Sequence, residues 1–420
     1  MRRCNVDLHN PTRNDGAVKQ ARTYTRLPRN VWILGFVSLL MDLSSEIYHA
    51  LLPLFITVTL GLPVAALGAI DGIAEATASF AKLASGRLSD RSRRRKPLIL
   101  AGYGLAALSK PLFPLASGAV EVMGARFADR IGKGIRGAPR DGMIADETPP
   151  EIRGRAFGLR QSLDTVGAMI APIVAIGLMA VFAGNIRKVF WIAVIPAIFC
   201  FLLAWLALKE KATPQAEAKP REAILASFRE LDRATRRLIA VGFLFTLARF
   251  SESFLILRGF DVGLSATLSP LVLVLFNLAF FLLAYPAGAL SDRISPKAIL
   301  LAGMAVLIAA DLVLAQPIGF VGLGIGVALW GAHMALTQGI FSRLIADSAP
   351  PQLRATSFGA FYFISGIATL LASLGAGLLW DQHGAHATFL AGAGLAAVAM
   401  AMLSLLPEEK TSPPFQGRGD

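Results

Sequence analysis

Apolar runs of about twenty residues, separated by short polar stretches, recur along the whole chain. They fall at 31–58, 63–85, 98–117, 119–142, 155–182 and 188–208, and again at 237–258, 266–287, 298–315, 318–345, 355–379 and 384–406. Each meets or approaches the ~20 residues that carry an α-helix across a hydrocarbon layer about 30 Å thick. The pattern predicts an all-α polytopic membrane protein with twelve transmembrane helices. Polar segments divide it into a basic tail at 1–29, a six-helix bundle at 30–208, a linker at 209–236, a second six-helix bundle at 237–406, and a polar tail at 407–420. Residues 1–29 lack the apolar core of a cleaved signal peptide.

Two polar signatures repeat in the same order half a chain apart. Gly86, Leu88, Asp90 and Arg91 return as Gly288, Leu290, Asp292 and Arg293. The stretch ADETPPEIRGRAFG at 145–158 returns as ADSAPPQLRATSFG at 346–359, with seven of fourteen positions identical. The signatures are 59 residues apart in the first half and 58 in the second. A shared register of this kind predicts two pseudo-symmetric copies of one helical module, a duplication on which membrane carriers are built.

Composition agrees: 55% of residues are hydrophobic and 16% charged, with a mean hydropathy of +0.58. The net charge of +13 raises the question of nucleic acid, but the cations sit on alternate loops. Arg87, Arg91, Arg93, Arg94, Arg95 and Lys96 crowd one loop, and Arg153, Arg155, Arg293, Lys297 and Arg354 occupy its counterparts. The intervening loops near 59–64, 116–121 and 316–320 hold no Lys or Arg. That asymmetry is the positive-inside signature, and it places both termini in the cytoplasm of a cell with a bacterial inner membrane. Arg187, Lys188 and Arg258 are exceptions. Two cysteines, Cys4 and Cys200, and five histidines frame neither disulfide nor metal site. No zinc-protease, nucleophile-elbow or P-loop motif occurs, so neither an enzyme nor an ATP-driven pump is expected.

Ionisable residues inside the apolar runs carry the functional reading, because each costs about 2.5–3.5 kcal/mol at the bilayer centre unless it faces inward. The first half holds Asp42, Glu46, Asp71, Glu75, Asp129 and Asp164 against Lys110, Arg126, Arg130, Lys133 and Arg160; the second repeats the pattern with Arg249 and Glu252. In the fourth run, RFADRIGKGIRGAPRD, the charges from Arg126 to Asp141 share roughly 140° of helical arc, and Gly132, Gly134 and Gly137 would admit close neighbours. Six acids against five bases suits a paired network that holds helices together. It also suits proton coupling through an acid left over, for which Asp42 and Glu46 lead, with Glu75, Arg126 and Asp164 behind them. Substrate-cavity candidates are Arg126, Asp129, Arg130, Lys133, Arg160, Arg249 and Glu252, together with Asn277 and His333. His49, one turn from Glu46, either shares its proton or is a packed histidine.

These residues resemble the Major Facilitator Superfamily. Its loop G-x-L-x-D-R-x-x-R plus two basic residues is matched by Gly86, Leu88, Asp90, Arg91, Arg94, Arg95 and Lys96, and its weaker second copy by Gly288, Leu290, Asp292 and Arg293. The resemblance implies a cytoplasmic gate formed by Gly86, Asp90, Arg91, Arg94, Lys96, Gly288, Asp292 and Arg293. The fourth run is similar to the family pattern R-x-x-Q-G-x-G, with Arg126, Gly132 and Gly134 in place but Asp129 and Arg130 where Gln and Gly are expected. That likeness assigns Arg126 to proton transfer. Gly167 to Pro172 partly resembles the antiporter pattern, which implies efflux, although Ala171 replaces its Gly. Ser44, Ser45 and Glu46 with the basic fourth run resemble a prokaryotic branch of the superfamily.

The expectation is a monomeric, cofactor-free secondary transporter that moves a small organic solute by alternating access, coupled to protons and directed outward. Its partners would be the small-molecule substrate, protons and the lipid bilayer, with no nucleic acid. Import or exchange of an anionic metabolite is the alternative, and a non-transporting membrane scaffold the rival from another class.

Overall fold

The computed structural model describes residues 27–91, 95–149, 152–210, 233–291, 294–317, 319–348 and 354–406. The described residues form helices and no strands. The first half comprises α1 (Arg29–Leu54, extended by a π turn at Phe55–Thr59), α2 (Val64–Arg91), α3 (Lys96–Ser109), α4 (Leu112–Leu115), α5 (Ala119–Glu147), α6 (Arg153–Val181) and α7 (Ile186–Ala207). The second comprises α8 (Arg233–Ala248), α9 (Ser253–Asp261), α10 (Leu271–Ser291), α11 (Pro296–Ala315), α12 (Phe320–Ser348) and α13 (Arg354–Ser404). Among the described residues, nine segments are long and apolar enough to cross a membrane. Three further passages are consistent with the expected twelve. These are the heavily charged α5, the shorter apolar part of α10, and the second arm of α13, which breaks at Gly384 (φ 78°). The expected tails and linker fall almost wholly outside the described residues.

Two spans expected to be continuous are interrupted. α3 stops at Ser109 just before Pro111, whose missing N–H cannot continue the ladder, and Lys110 emerges at the break. α8 ends at Ala248 and α9 begins at Ser253, which leaves Arg249 to Glu252 outside any helix.

The duplication predicted from the repeated signatures reappears as repeated side-chain staples. Lys96, at the start of α3, donates to the carbonyls of Trp205 (3.1 Å) and Leu208 (2.7 Å) where α7 ends. Lys297, at the start of α11, donates in the same way to Ser404 (3.0 Å) and Leu406 where α13 ends. These carbonyls lack intrahelical partners, so one ammonium closes each bundle. On the opposite face, Arg187 donates to the Pro114 and Ala116 carbonyls (2.6 and 2.8 Å), and His386 Nδ1 lies 2.8 Å from the Ala315 carbonyl oxygen. Arg258 reaches the Leu314 and Gln316 carbonyls at 3.0 and 2.6 Å. Two of the basic exceptions in the loop pattern, Arg187 and Arg258, are thus bound to helix ends.

The outer perimeter is apolar, as hydrocarbon requires; α7, for example, exposes Trp191, Ile195, Phe199, Leu202 and Trp205. The halves meet along α2 and α13, where small residues allow backbone contact. A Cβ at Gly72 would lie 2.9 Å from the Leu370 carbonyl oxygen, and one at Gly377 2.8 Å from that of Val64. At the face away from Lys96, which we call the far face, Asp381 of α13 accepts the Val64 and Ala65 N–H groups at 2.9 and 2.7 Å. Ile256, Leu257 and Leu273 of the second half pack there into the core of the first. The far face is closed.

Candidate functional site

The charged face of α5 is its buried face. Arg126, Asp129, Arg130, Arg136 and Arg140 are buried, whereas Phe127 on the other side is 44% exposed. Glycine makes that burial possible: Cβ atoms at Gly132 would lie 2.6 Å from the Gly102 carbonyl oxygen of α3, and Gly134 packs against Ala81 of α2. Gly137, expected to serve likewise, lines a cavity instead.

Four of the six first-half acids are held by bases. Lys110, fully buried, donates to Asp129 Oδ1 (2.8 Å) and Ser45 Oγ (2.9 Å) and stands 5.0 Å from the Tyr48 ring centre. Arg126 lies 3.5 Å from Asp71, Arg130 3.1 Å from Glu75, and Arg160 2.5 Å from Asp164. A fifth acid, Glu46, has His49 Nδ1 at 3.1 Å. Among the described residues Asp42 and Lys133 enter no ion pair, and both line the first of two cavities.

Two cavities occupy the space between the halves. The first, about 480 Å³, lies toward the Lys96 face and is lined by Asp42, Glu46, Lys133, Arg160, Asp164 and Asn277. The second, about 430 Å³, is lined by His49, Asp71, Glu75, Arg126, Arg249 and Glu252, with an aromatic wall of Phe245, Phe250, Trp330 and Phe361. Gln338 borders both. Because Glu46 opens onto the first cavity and His49 onto the second, their hydrogen bond spans the partition. Every leading proton candidate therefore reaches a cavity.

Other expected cavity residues are placed elsewhere. Asp129 and Arg130 lie in the wall, where their bonds to Lys110 and Glu75 hold α5 to its neighbours. His333 is fully buried behind Trp330, with ring centres 4.6 Å apart, and lines neither cavity. Of the expected gate, Lys96 has its ammonium committed to the end of α7, within its own half. Gly86, Asp90, Arg91, Arg94, Gly288, Asp292 and Arg293 lie outside the described residues or have no described side chain.

Two contributors, Asp311 and Asp381, escaped sequence reasoning, and a third, Asp71, was counted only among the acids of the first half. Asp71 accepts from Ser251 Oγ (2.8 Å) and Ser253 Oγ (2.5 Å), which joins the halves at the edge of the second cavity. The pattern Ser-Glu-Ser beside Arg249 was the available signal. Asp311, fully buried in α11, accepts the Trp330 indole N–H at 2.8 Å and fixes that ring in the cavity wall. Asp381 gave no signal, since its partners are backbone groups 316 and 317 positions away.

The family model described as Major Facilitator Superfamily matches residues 34–368 and 238–420. The chain is 31% identical over 383 residues to an uncharacterised MFS-type transporter of Methanocaldococcus jannaschii, covering 90% of this chain and 94% of the relative. An uncharacterised protein of Mycobacterium tuberculosis is 28% identical over 368 residues, covering 84% and 87%. In fold the chain is similar to the crystal structure of a point mutant of the nucleoside transporter NupG, with a TM-score of 0.75 at 14% identity over 89% of this chain and 99% of that one. With two stapled helical halves around central cavities, and these matches along nearly its whole length, the chain belongs to the Major Facilitator Superfamily of membrane transporters.

Proposed function

We propose that this chain is a proton-coupled secondary transporter that carries a small organic solute across a bacterial cytoplasmic membrane by alternating access. The Lys96 face is cytoplasmic, the far face external, and the working unit a monomer. The observation that carries the coupling is the Glu46–His49 bond across the partition between the two cavities. A proton passed along that pair moves between compartments that the rocking halves expose in turn. Asp42, without an ion-pair partner, is the second carrier: protonation removes a bare charge before its cavity closes. Glu75 and Asp164, held by Arg130 and Arg160, shape the field around them, and Arg126 ties α5 to Asp71. The partial antiporter likeness at Gly167 to Pro172 supports outward transport.

The test is solute flux in proteoliposomes with and without a pH jump. Glu46→Gln should keep solute exchange at equal pH and lose acceleration by the gradient, and Asp42→Asn should blunt it. If Glu46→Gln responds to the gradient as the parent does, Glu46 has no part in coupling.

A further inference from the structure

The second cavity holds two opposite charges that do not meet, and they indicate what it binds. Arg249 and Glu252 both line it, from the non-helical stretch between α8 and α9. On an intact helix, residues three apart are neighbours and would pair. Here the break separates them, and neither enters an ion pair with any described residue. Arg249 has only soft company: Met334 Sδ lies 2.6 Å from its Nη2, the Phe245 ring centre is 5.6 Å from its guanidinium carbon, and its buried Nε has no partner. The Glu252 carboxylate has no hydrogen-bond or ion-pair partner among the described residues, although its backbone carbonyl accepts from Leu255 N–H. The other ionic groups of this cavity each have an opposite charge or hydrogen-bond partner: Asp71 accepts from two serines, Arg126 faces Asp71 at 3.5 Å, Glu75 pairs with Arg130 and His49 with Glu46.

We propose, building on the transporter reading above, that the substrate is a zwitterion, an amino-acid-like or short-peptide-like solute. Its carboxylate pairs with Arg249, its ammonium with Glu252, and its apolar body rests on Phe250, Trp330 and Phe361. A carboxylate alone would neutralise Arg249 yet crowd Glu252, and an amine alone would do the reverse; either leaves a charge buried without a partner. A solute with both poles answers both and adds no net charge to the cavity. The volume of about 430 Å³ suits a solute of that size.

The test is thermal unfolding of the purified full-length protein with amino acids, dipeptides and betaines, each beside fragments that lack one pole; for L-phenylalanine these are 3-phenylpropionate and phenethylamine. At least one zwitterion should raise the unfolding temperature, with both its fragments roughly tenfold or more weaker. Arg249→Gln and Glu252→Gln should each lose that response, and Glu252→Gln should bind the carboxylate fragment better than the parent does. Equal binding of a fragment and its zwitterion by the parent, or no response to any zwitterion, overturns the proposal. If a sugar or nucleoside undergoes counterflow in liposomes while every zwitterion is inert, the transporter reading stands and this inference falls.

Discussion

A side chain at Gly68 would have nowhere to go while the far face is shut. A Cβ there would run into the Ser373 carbonyl oxygen of α13, and the neighbouring contacts at Gly72 and Gly377 are also with backbone. Backbone cannot yield by changing rotamer, so Gly68→Val should bear the full overpacking penalty of about 1–3 kcal/mol. That penalty applies only while α2 and α13 are in contact; once the halves part at this face, the new methyl groups meet open space. The balance between the two states should move toward the far-open one by about 5–150-fold. Accessibility reads this directly. Thr369 lines the second cavity, so Thr369→Cys, with Cys4 replaced by Ser and the buried Cys200 retained, can be labelled with a membrane-impermeant maleimide from the far face. Labelling should be at least about fivefold faster in Gly68→Val and Gly377→Val. Gly177→Val, at a position with nothing within 4 Å, should leave the rate unchanged. If the first two variants label no faster than the third, the α2–α13 contact does not govern access.

Four further outcomes can be checked. Lys110→Met strands Asp129 in the wall and should cost about 3–5 kcal/mol, seen as a lower unfolding temperature in detergent. Adding Asp129→Leu should recover much of it, and a double variant no more stable than the single one would count against a paired network. Asp381→Ala removes the acceptor of two N–H groups at the start of α2, worth about 0.5–2 kcal/mol, and should speed maleimide labelling of Thr369→Cys while Gly177→Val does not. Asp311→Asn keeps an acceptor for the Trp330 indole and should be tolerated, whereas Asp311→Ala should lose about 1–3 kcal/mol; equal unfolding temperatures would show the bond to be idle. Lys96→Met and Lys297→Met should destabilise by similar amounts, about 1 kcal/mol per carbonyl released, and add in the double variant because they close different bundles.

The bundle architecture was legible because two signals are one-dimensional: hydrophobic runs report helices that face lipid, and repeated signatures report duplication. The inward placement of Asp42 and Glu46 was legible too, since an acid in a long apolar run must face inward. Which acid has which base was not. Lys110 finds Asp129 only because α3 breaks before Pro111, and Arg130 finds Glu75 only through the packing of α5 on α2. The gap at Arg249 to Glu252 was hidden as well, because no proline or glycine marks it and the flanking residues read as one apolar span. Asp311 has its indole partner 19 positions on, a pairing that only the packing of α11 on α12 makes.

Every described ion pair stays within one half of the molecule. The seam on the far side is fastened instead by hydrogen bonds to two carboxylates, those of Asp71 and Asp381, by the apolar packing of Ile256, Leu257 and Leu273, and by bare backbone contact. Swinging the halves apart there exchanges serine hydroxyls and amides for water around each carboxylate, without drawing opposite charges away from one another. Stiffness is thereby concentrated inside each lobe and slipperiness between them, so the rate of reorientation at this face should be nearly indifferent to ionic strength.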